Sequence, residues 1–288
     1  CTNGTSRRGL PRWNNMLRLE TDTGYWLITH VDHAHLAGEF AEKWGNRNFR
    51  PPEPRARVLK GISQHDDGWR GRDREPQITR QGRPSAFSVE LVGKYSAFEE
   101  IDLGDYLAVR ERAVRLIANE DPYAAILVSM HTYSLLSERA DRSTILPEQL
   151  PLLDDFLAWQ EALQKKLLVK IAADASLAPE HKSETAIRDH FRLLQACDNL
   201  SLLACVDYRK SSTLLHPLPQ NDGGYQMVAV ESTGERSFKL EPYPFAESPL
   251  VFSIPARHVE GMMFANAAEL GALFAAARVT QLGIRISG

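Results

Sequence analysis

Cysteine is scarce in this chain: Cys1, Cys197 and Cys205 are the only three in 288 residues, and no Cys-x-x-Cys pair occurs. An even disulfide framework is therefore excluded. Cys197 and Cys205 fall in an apolar helical stretch, where buried reduced thiols are expected, in keeping with a cytoplasmic location. A chain that starts at Cys1 would also fit a lipid-modified cysteine left by signal cleavage, and equally an arbitrary first residue; the cytoplasmic reading is adopted. No apolar run approaches the roughly 18–20 residues of a membrane span, and the mean hydropathy is −0.33. A surplus of one charge is lacking too. Lys and Arg number 34 against 37 Asp and Glu, a net of −3, so there is no broad basic field for a nucleic-acid backbone. Gly-rich phosphate loops, a nucleophile elbow in a Ser-His-Asp order and a Cys-His pair are likewise missing.

What is present reads as an ordinary globular chain, 43% hydrophobic and 25% charged, of a size for one large core or one plus a small appendage. Residues 1–16 are polar and predicted to be flexible. Two short strands are predicted from Leu17 to Thr29 around Asp22-Thr23-Gly24. A helix follows from an Asp32 cap to Trp44, and another from Glu53 to His65. Residues 70–98 read as a long polar loop of the kind that carries function. Helices are predicted over 102–119, 121–137, 147–174 and 179–206. Strand-like runs follow at Tyr225–Glu231, Phe238–Glu241 and Leu250–Ile254, then a helix near 266–278 and a strand at 279–286. The expected architecture is mainly α: a helical body over 17–206, and a smaller β-rich region over 207–288 that also takes up the N-terminal strands.

The sharpest local feature is Gln64-His65-Asp66-Asp67-Gly68-Trp69. An adjacent imidazole and carboxylate can reach one cation. Other candidate ligands lie on inward helix faces. His33 shares a stripe with Leu36, Ala37, Phe40 and Trp44, and His131 with Ala124, Leu127, Val128 and Leu135. Asp198 lies with Phe191, Leu194, Ser201, Leu202 and Cys205. An aspartate on an apolar stripe is the most telling, because a buried carboxylate needs a cation or hydrogen bonds. Each residue also has a plain structural use: a helical His bonds locally, and Asp66-Asp67-Gly68 shapes a turn. One metal would account for the whole set.

The order His33, His65-Asp66, then Asp198-Asn199-Leu200-Ser201 resembles the H…HD…D pattern of the HD superfamily of metal-dependent phosphohydrolases. Here Asp67 follows the doublet, where that pattern has Gly and often Lys. The chain also resembles the DUF3891 family of bacterial proteins, which carries no established activity. The segments that match are Thr29-His30-Val31-Asp32-His33-Ala34-His35-Leu36-Ala37-Gly38, His65-Asp66-Asp67-Gly68-Trp69, Gly82-Arg83-Pro84-Ser85-Ala86-Phe87, Asp121-Pro122-Tyr123-Ala124-Ala125 and Pro242-Tyr243-Pro244-Phe245. The HD resemblance implies an HD-like helical core with His33, His65, Asp66 and Asp198 as ligands of a divalent ion (Mn, Fe, Ni, Zn or Mg). His131 would be a further ligand or line the substrate side. Asp67 or a nearby histidine would serve as general base, and Arg70, Arg72 and Arg83 would hold an anionic small-molecule substrate. The activity implied is phosphoester hydrolysis. A non-catalytic metal-binding or sensing module and an iron-dependent HD-like oxygenase are the alternatives.

Overall fold

A computed structural model describes residues 16–94, 96, 98 and 102–288. The expected flexible segment therefore lies outside the described residues except for Met16, which opens the first strand, and Cys1 lies outside them too. Strands β1 (Met16–Glu20) and β2 (Gly24–Ile28) precede helices α1 (His30–Lys43) and α2 (Arg55–Ser63). After a 3-10 segment, Asp67–Arg74, come β3 (Ala86–Phe87), α3 (Leu103–Ala118), α4 (Pro122–Ser137), α5 (Leu150–Ala173) and α6 (Glu184–Cys205). The remainder is β4 (Ser212–Thr213), β5 (Leu218–Pro219), β6 (Tyr225–Gln226), β7 (Ala229–Gly234), β8 (Ser237–Glu241), β9 (Leu250–Glu260), α7 (Ala267–Ala276) and β10 (Val279–Ser287).

The expectation of a mainly α architecture is overturned. Eight strands form one sheet in the order β3-β1-β2-β9-β10-β8-β7-β4, curled into a half-barrel around the helices. The strand expected over Leu250–Ile254 is longer: β9 runs through Pro255 to Glu260. Proline donates no ladder hydrogen bond and is tolerated where pairing is one-sided. Here β2 pairs with Arg257–Glu260 only, while β10 pairs with Leu250–Arg257, so Pro255 lies beyond the end of β2. That extra length joins the N-terminal hairpin to the C-terminal strands in a single sheet.

Alternation in β8, β9 and β10 sends Phe238, Leu240, Phe252, Ile254, Ile284 and Ile286 onto the helices, where they share one core with Phe40, Leu127 and Leu194. Phe40 meets Phe252 edge to face at 4.8 Å. On the sheet's other face α7 sends Leu270 and Phe274 onto Tyr25, Leu27 and Val259. Among the described residues no helix is long and apolar enough to cross a membrane.

Helix ends matter for the site. Thr29, not Asp32, caps α1: its side chain accepts from the Asp32 N–H, which satisfies one of the donors every helix start leaves open. Gly68 lets the 3-10 segment lie directly on α3. A Cβ at this position would sit 2.2 Å from the Val109 carbonyl oxygen and 2.8 Å from the Ala113 nitrogen. Backbone cannot yield as a side-chain tip can. Gly68→Ala is therefore expected to destabilise the protein by about 1–3 kcal/mol or more, the usual cost of overpacking. An unchanged urea midpoint would contradict this close approach.

Candidate metal centre

Five polar residues from four stretches of chain meet at one end of the helical layer. His33 lies in α1, His65 and Asp66 follow α2, His131 is in α4 and Asp198 in α6, and none is more than 7% exposed. The expected continuation of α2 to His65 does not occur. The helix ends at Ser63, and the His65 ring turns back so that Nδ1 lies 2.7 Å from the Ile62 carbonyl oxygen. That carbonyl is one of the acceptors a helix end leaves unsatisfied. A carbonyl can only accept, so Nδ1 carries the proton and Nε2 is left with a lone pair. His33 is fixed the same way. Ser201 donates to the Asp198 carbonyl and accepts from His33 Nδ1, both at 2.8 Å, which leaves His33 Nε2 as the free nitrogen.

Both free nitrogens face carboxylates. His33 Nε2 is 3.2 Å from Asp66 Oδ2, and His65 Nε2 is 3.3 Å from Asp198 Oδ1 and 3.8 Å from Asp66 Oδ2. Among the described residues, neither His65 Nε2 nor His131 Nδ1 has a hydrogen-bond partner. Acceptors turned toward acceptors in a dry interior repel unless a cation or a proton lies between them. Two sets satisfy the spacing for a metal: His33, His65 and Asp66, and His65, His131 and Asp198, with ligand atoms of each set within 4.8 Å of one another. Donors bound at about 2.1 Å to one ion lie roughly 3.0–3.4 Å apart. The two shortest separations fit that range.

Without an ion the cluster must hold a proton instead. Burial pushes His33 down and takes His131 down to about 3. Burial alone would lower His65 as well, but the charges of Asp66 and Asp198 outweigh it and raise its pKa to about 9. Asp198 runs the other way. Its burial favours the acid, yet the His65 contact and the surrounding histidines bring it to about 2. Asp66 is held well below the usual carboxylate range against its burial, by Arg110 first and His65 next. Arg110 donates from Nη1 to Asp66 Oδ1 at 2.5 Å and from Nε to the Tyr106 hydroxyl at 3.2 Å, and its guanidinium lies over the Trp69 and Tyr106 rings.

The cluster forms the floor of a cavity of about 240 Å³. His33, Asp66, His131, Asp198 and Arg110 line it, together with His30, Trp69 and Lys94. His30 is held from below. Asp73 accepts from its Nδ1 and from its backbone N–H, both at 2.9 Å, and the Trp69 ring stacks on it at 4.3 Å.

The other expected site residues lie elsewhere. Asp67 turns to a separate surface hollow, where it accepts from Arg70 at 3.0 Å. One step along the turn is enough to put Asp66 and Asp67 on opposite sides. Arg72 pairs with Asp105 at 2.8 Å, and Arg83 lies 3.9 Å from Glu20. None of these four lines the cavity. His190 bonds to the Tyr123 hydroxyl at 2.8 Å and lines a different pocket. Among the described residues, Cys197 and Cys205 are buried free thiols.

Sequence reasoning passed over Arg110 and His30. Arg110 had a signal: Leu103, Leu107, Arg110, Val114 and Ile117 recur at steps of three and four, which makes the arginine part of the buried face of α3. His30 had none, because its partner Asp73 is 43 residues away.

Fold and cluster together define a helix-and-sheet protein whose buried histidines and aspartates could hold a metal ion. The chain belongs to the DUF3891 family of proteins of unknown function, whose profile matches residues 16–261. No curated protein and no solved structure matches it.

Proposed function

We propose that this protein is a metal-dependent hydrolase acting on a small phosphorylated or otherwise anionic molecule, with His33, His65, Asp66, His131 and Asp198 around one divalent ion. The observation that carries the reading is the buried His65, whose Nδ1 is committed to the Ile62 carbonyl so that Nε2 alone faces Asp66 and Asp198, two carboxylates that line a cavity. The order of these residues in the chain, which resembles that of HD phosphohydrolases, supports it. One ion is argued by the donors. His65 Nδ1 is committed to Ile62, so both possible ligand sets meet at the same nitrogen, and Asp66 Oδ1 is committed to Arg110. This weighs against the two-iron oxygenase alternative.

When bound, a divalent ion supplies Lewis-acid polarisation of a substrate oxygen and acidifies water. The chain's own groups do the rest. Ile62 and Ser201 hold the two histidines in the tautomers that present Nε2. Arg110 keeps Asp66 ionised and oriented. His30, with its Nδ1 proton held by Asp73, is the group in the cavity free to accept a proton at Nε2, the role the sequence offered to Asp67 or a neighbouring histidine. Trp69 and the apolar walls limit water.

The test is turnover of 4-nitrophenyl phosphate after loading with Mn²⁺, Ni²⁺ or Zn²⁺. Activity is expected with at least one of the ions and none in Asp198→Ala. His30→Gln is expected to lower kcat by about 10²–10⁴, with KM and metal content unchanged. Stoichiometric metal without turnover of this or related esters would leave a metal-binding module and end the hydrolase reading.

A further inference from the structure

The cavity also carries information on what kind of molecule it admits, and this inference rests on the hydrolase reading above. Among the described residues the cavity lining divides between polar groups, with Ser96, Trp69 and Tyr106 beside those named above, and six hydrocarbon side chains. The latter form the walls: Leu17, Phe87, Leu91, Phe98, Leu135 and Leu202, drawn from the sheet edge, α4, α6 and the segment after β3. These side chains offer no donor or acceptor to a sugar or to a base edge.

Charge is equally restrictive. Asp66 and Asp198 against Arg110 and a divalent ion leave a single positive charge at the floor. Lys94, exposed at the mouth, adds one more. A phosphate monoester dianion is balanced by that pair, whereas a polyphosphate would also need Arg139, which lines the adjoining pocket rather than this one. The volume of about 240 Å³, with an adjoining pocket of about 100 Å³ that shares Phe87, Leu135 and Leu202, suits a compact ligand.

We infer that the substrate has one anionic head, seated at the metal floor, and a compact apolar body lying between Phe87 and Leu202; it is not a nucleotide or a polyphosphate. The head gives attachment and the apolar body gives selectivity, since burial of hydrocarbon is the main favourable contact the walls can make.

The experiment is calorimetric titration of the metal-loaded protein with methylphosphonate, phenylphosphonate and adenosine monophosphate, none of which needs to be turned over. Phenylphosphonate is expected to bind at least about tenfold tighter than methylphosphonate, because the ring's apolar surface leaves water. Adenosine monophosphate is expected to bind no tighter than methylphosphonate. In Phe87→Ala the preference for the phenyl compound should fall several-fold while methylphosphonate affinity stays, which also shows that the floor remains intact. A phenyl-to-methyl ratio below about threefold, tightest binding by the nucleotide, or no binding of any probe overturns the proposal. If the ratio holds and no ester is hydrolysed, the hydrolase reading falls alone. If esters are hydrolysed and the ratio is absent, the substrate class falls alone.

Discussion

Asp198→Ala is expected to lose tightly held transition metal altogether, whereas the parent protein keeps close to one equivalent through desalting. Asp198 supplies the carboxylate nearest the open nitrogen of His65, at 3.3 Å, and lies with His131 on the other side of the same nitrogen. Its removal takes away both a ligand and a negative charge that favours a cation in a buried site. Ser201→Ala makes the informative comparison. Ser201 is not one of the candidate ligands; it holds the His33 ring by accepting from Nδ1 while donating to the Asp198 carbonyl. Loss of such an orienting group costs roughly 10–100-fold in affinity, so this variant should weaken metal binding without abolishing it, and Asp198→Ala should exceed that range. Elemental analysis and competition with a chromophoric chelator would measure both. One full equivalent retained in Asp198→Ala, with affinity unchanged, would remove the metal centre from consideration.

The second large effect is on pH. With no ion, His65 is protonated at neutral pH because Asp66 and Asp198 raise its pKa to about 9. A metal needs the lone pair on Nε2, so binding must expel that proton. Affinity should climb about tenfold per pH unit up to pH near 9 and then level off, which makes binding at pH 7 about 100-fold weaker than its plateau. Titrations in two buffers of different ionisation enthalpy should report close to one proton released per ion at pH 7. A flat affinity between pH 6.5 and 9 would mean that His65 is not a ligand. Stability follows the same group with a definite sign. A pKa raised in the folded state contributes stability that is fully present below the ordinary value of 6.5 and is lost as the pH rises through about 9. The metal-free protein should therefore lose stability across that window, and the loaded protein should be spared this loss because His65 no longer holds the proton.

Much of this site was legible because its residues lie on helices or directly at their ends. Helical periodicity is local, so the stripes around His33, His131 and Asp198 announced that these side chains are buried, and an aspartate among leucines announced that something must neutralise it. The turn after α2 was less readable. His65, Asp66 and Asp67 are consecutive, and the choice of Asp66 for the cavity depends on α2 ending at Ser63 and on Gly68 pressing the 3-10 segment against α3. The arginines expected at the site do not line the cavity. Arg70, Arg72 and Arg83 stand in the polar stretch next to the motif, yet they pair with Asp67, Asp105 and Glu20 on the outside. The arginine that meets Asp66 arrives from α3, 44 residues along the chain.

The scarcity of cysteine excluded a disulfide framework and the near balance of charge a broad basic field, and the apolar stripes were enough to determine from the sequence which helices form, which of their faces turn inward and that His33, His131 and Asp198 go in with them. Those properties are set within a few turns of chain. The eight-stranded sheet, the long β9 through Pro255, the partners Arg110 and Asp73 and the apolar walls were decided only by tertiary structure. Strand pairing between residues near 25 and near 258 is a contact across most of the chain, and no local pattern encodes which distant segment will supply the other half of a ladder, an ion pair or a cavity wall.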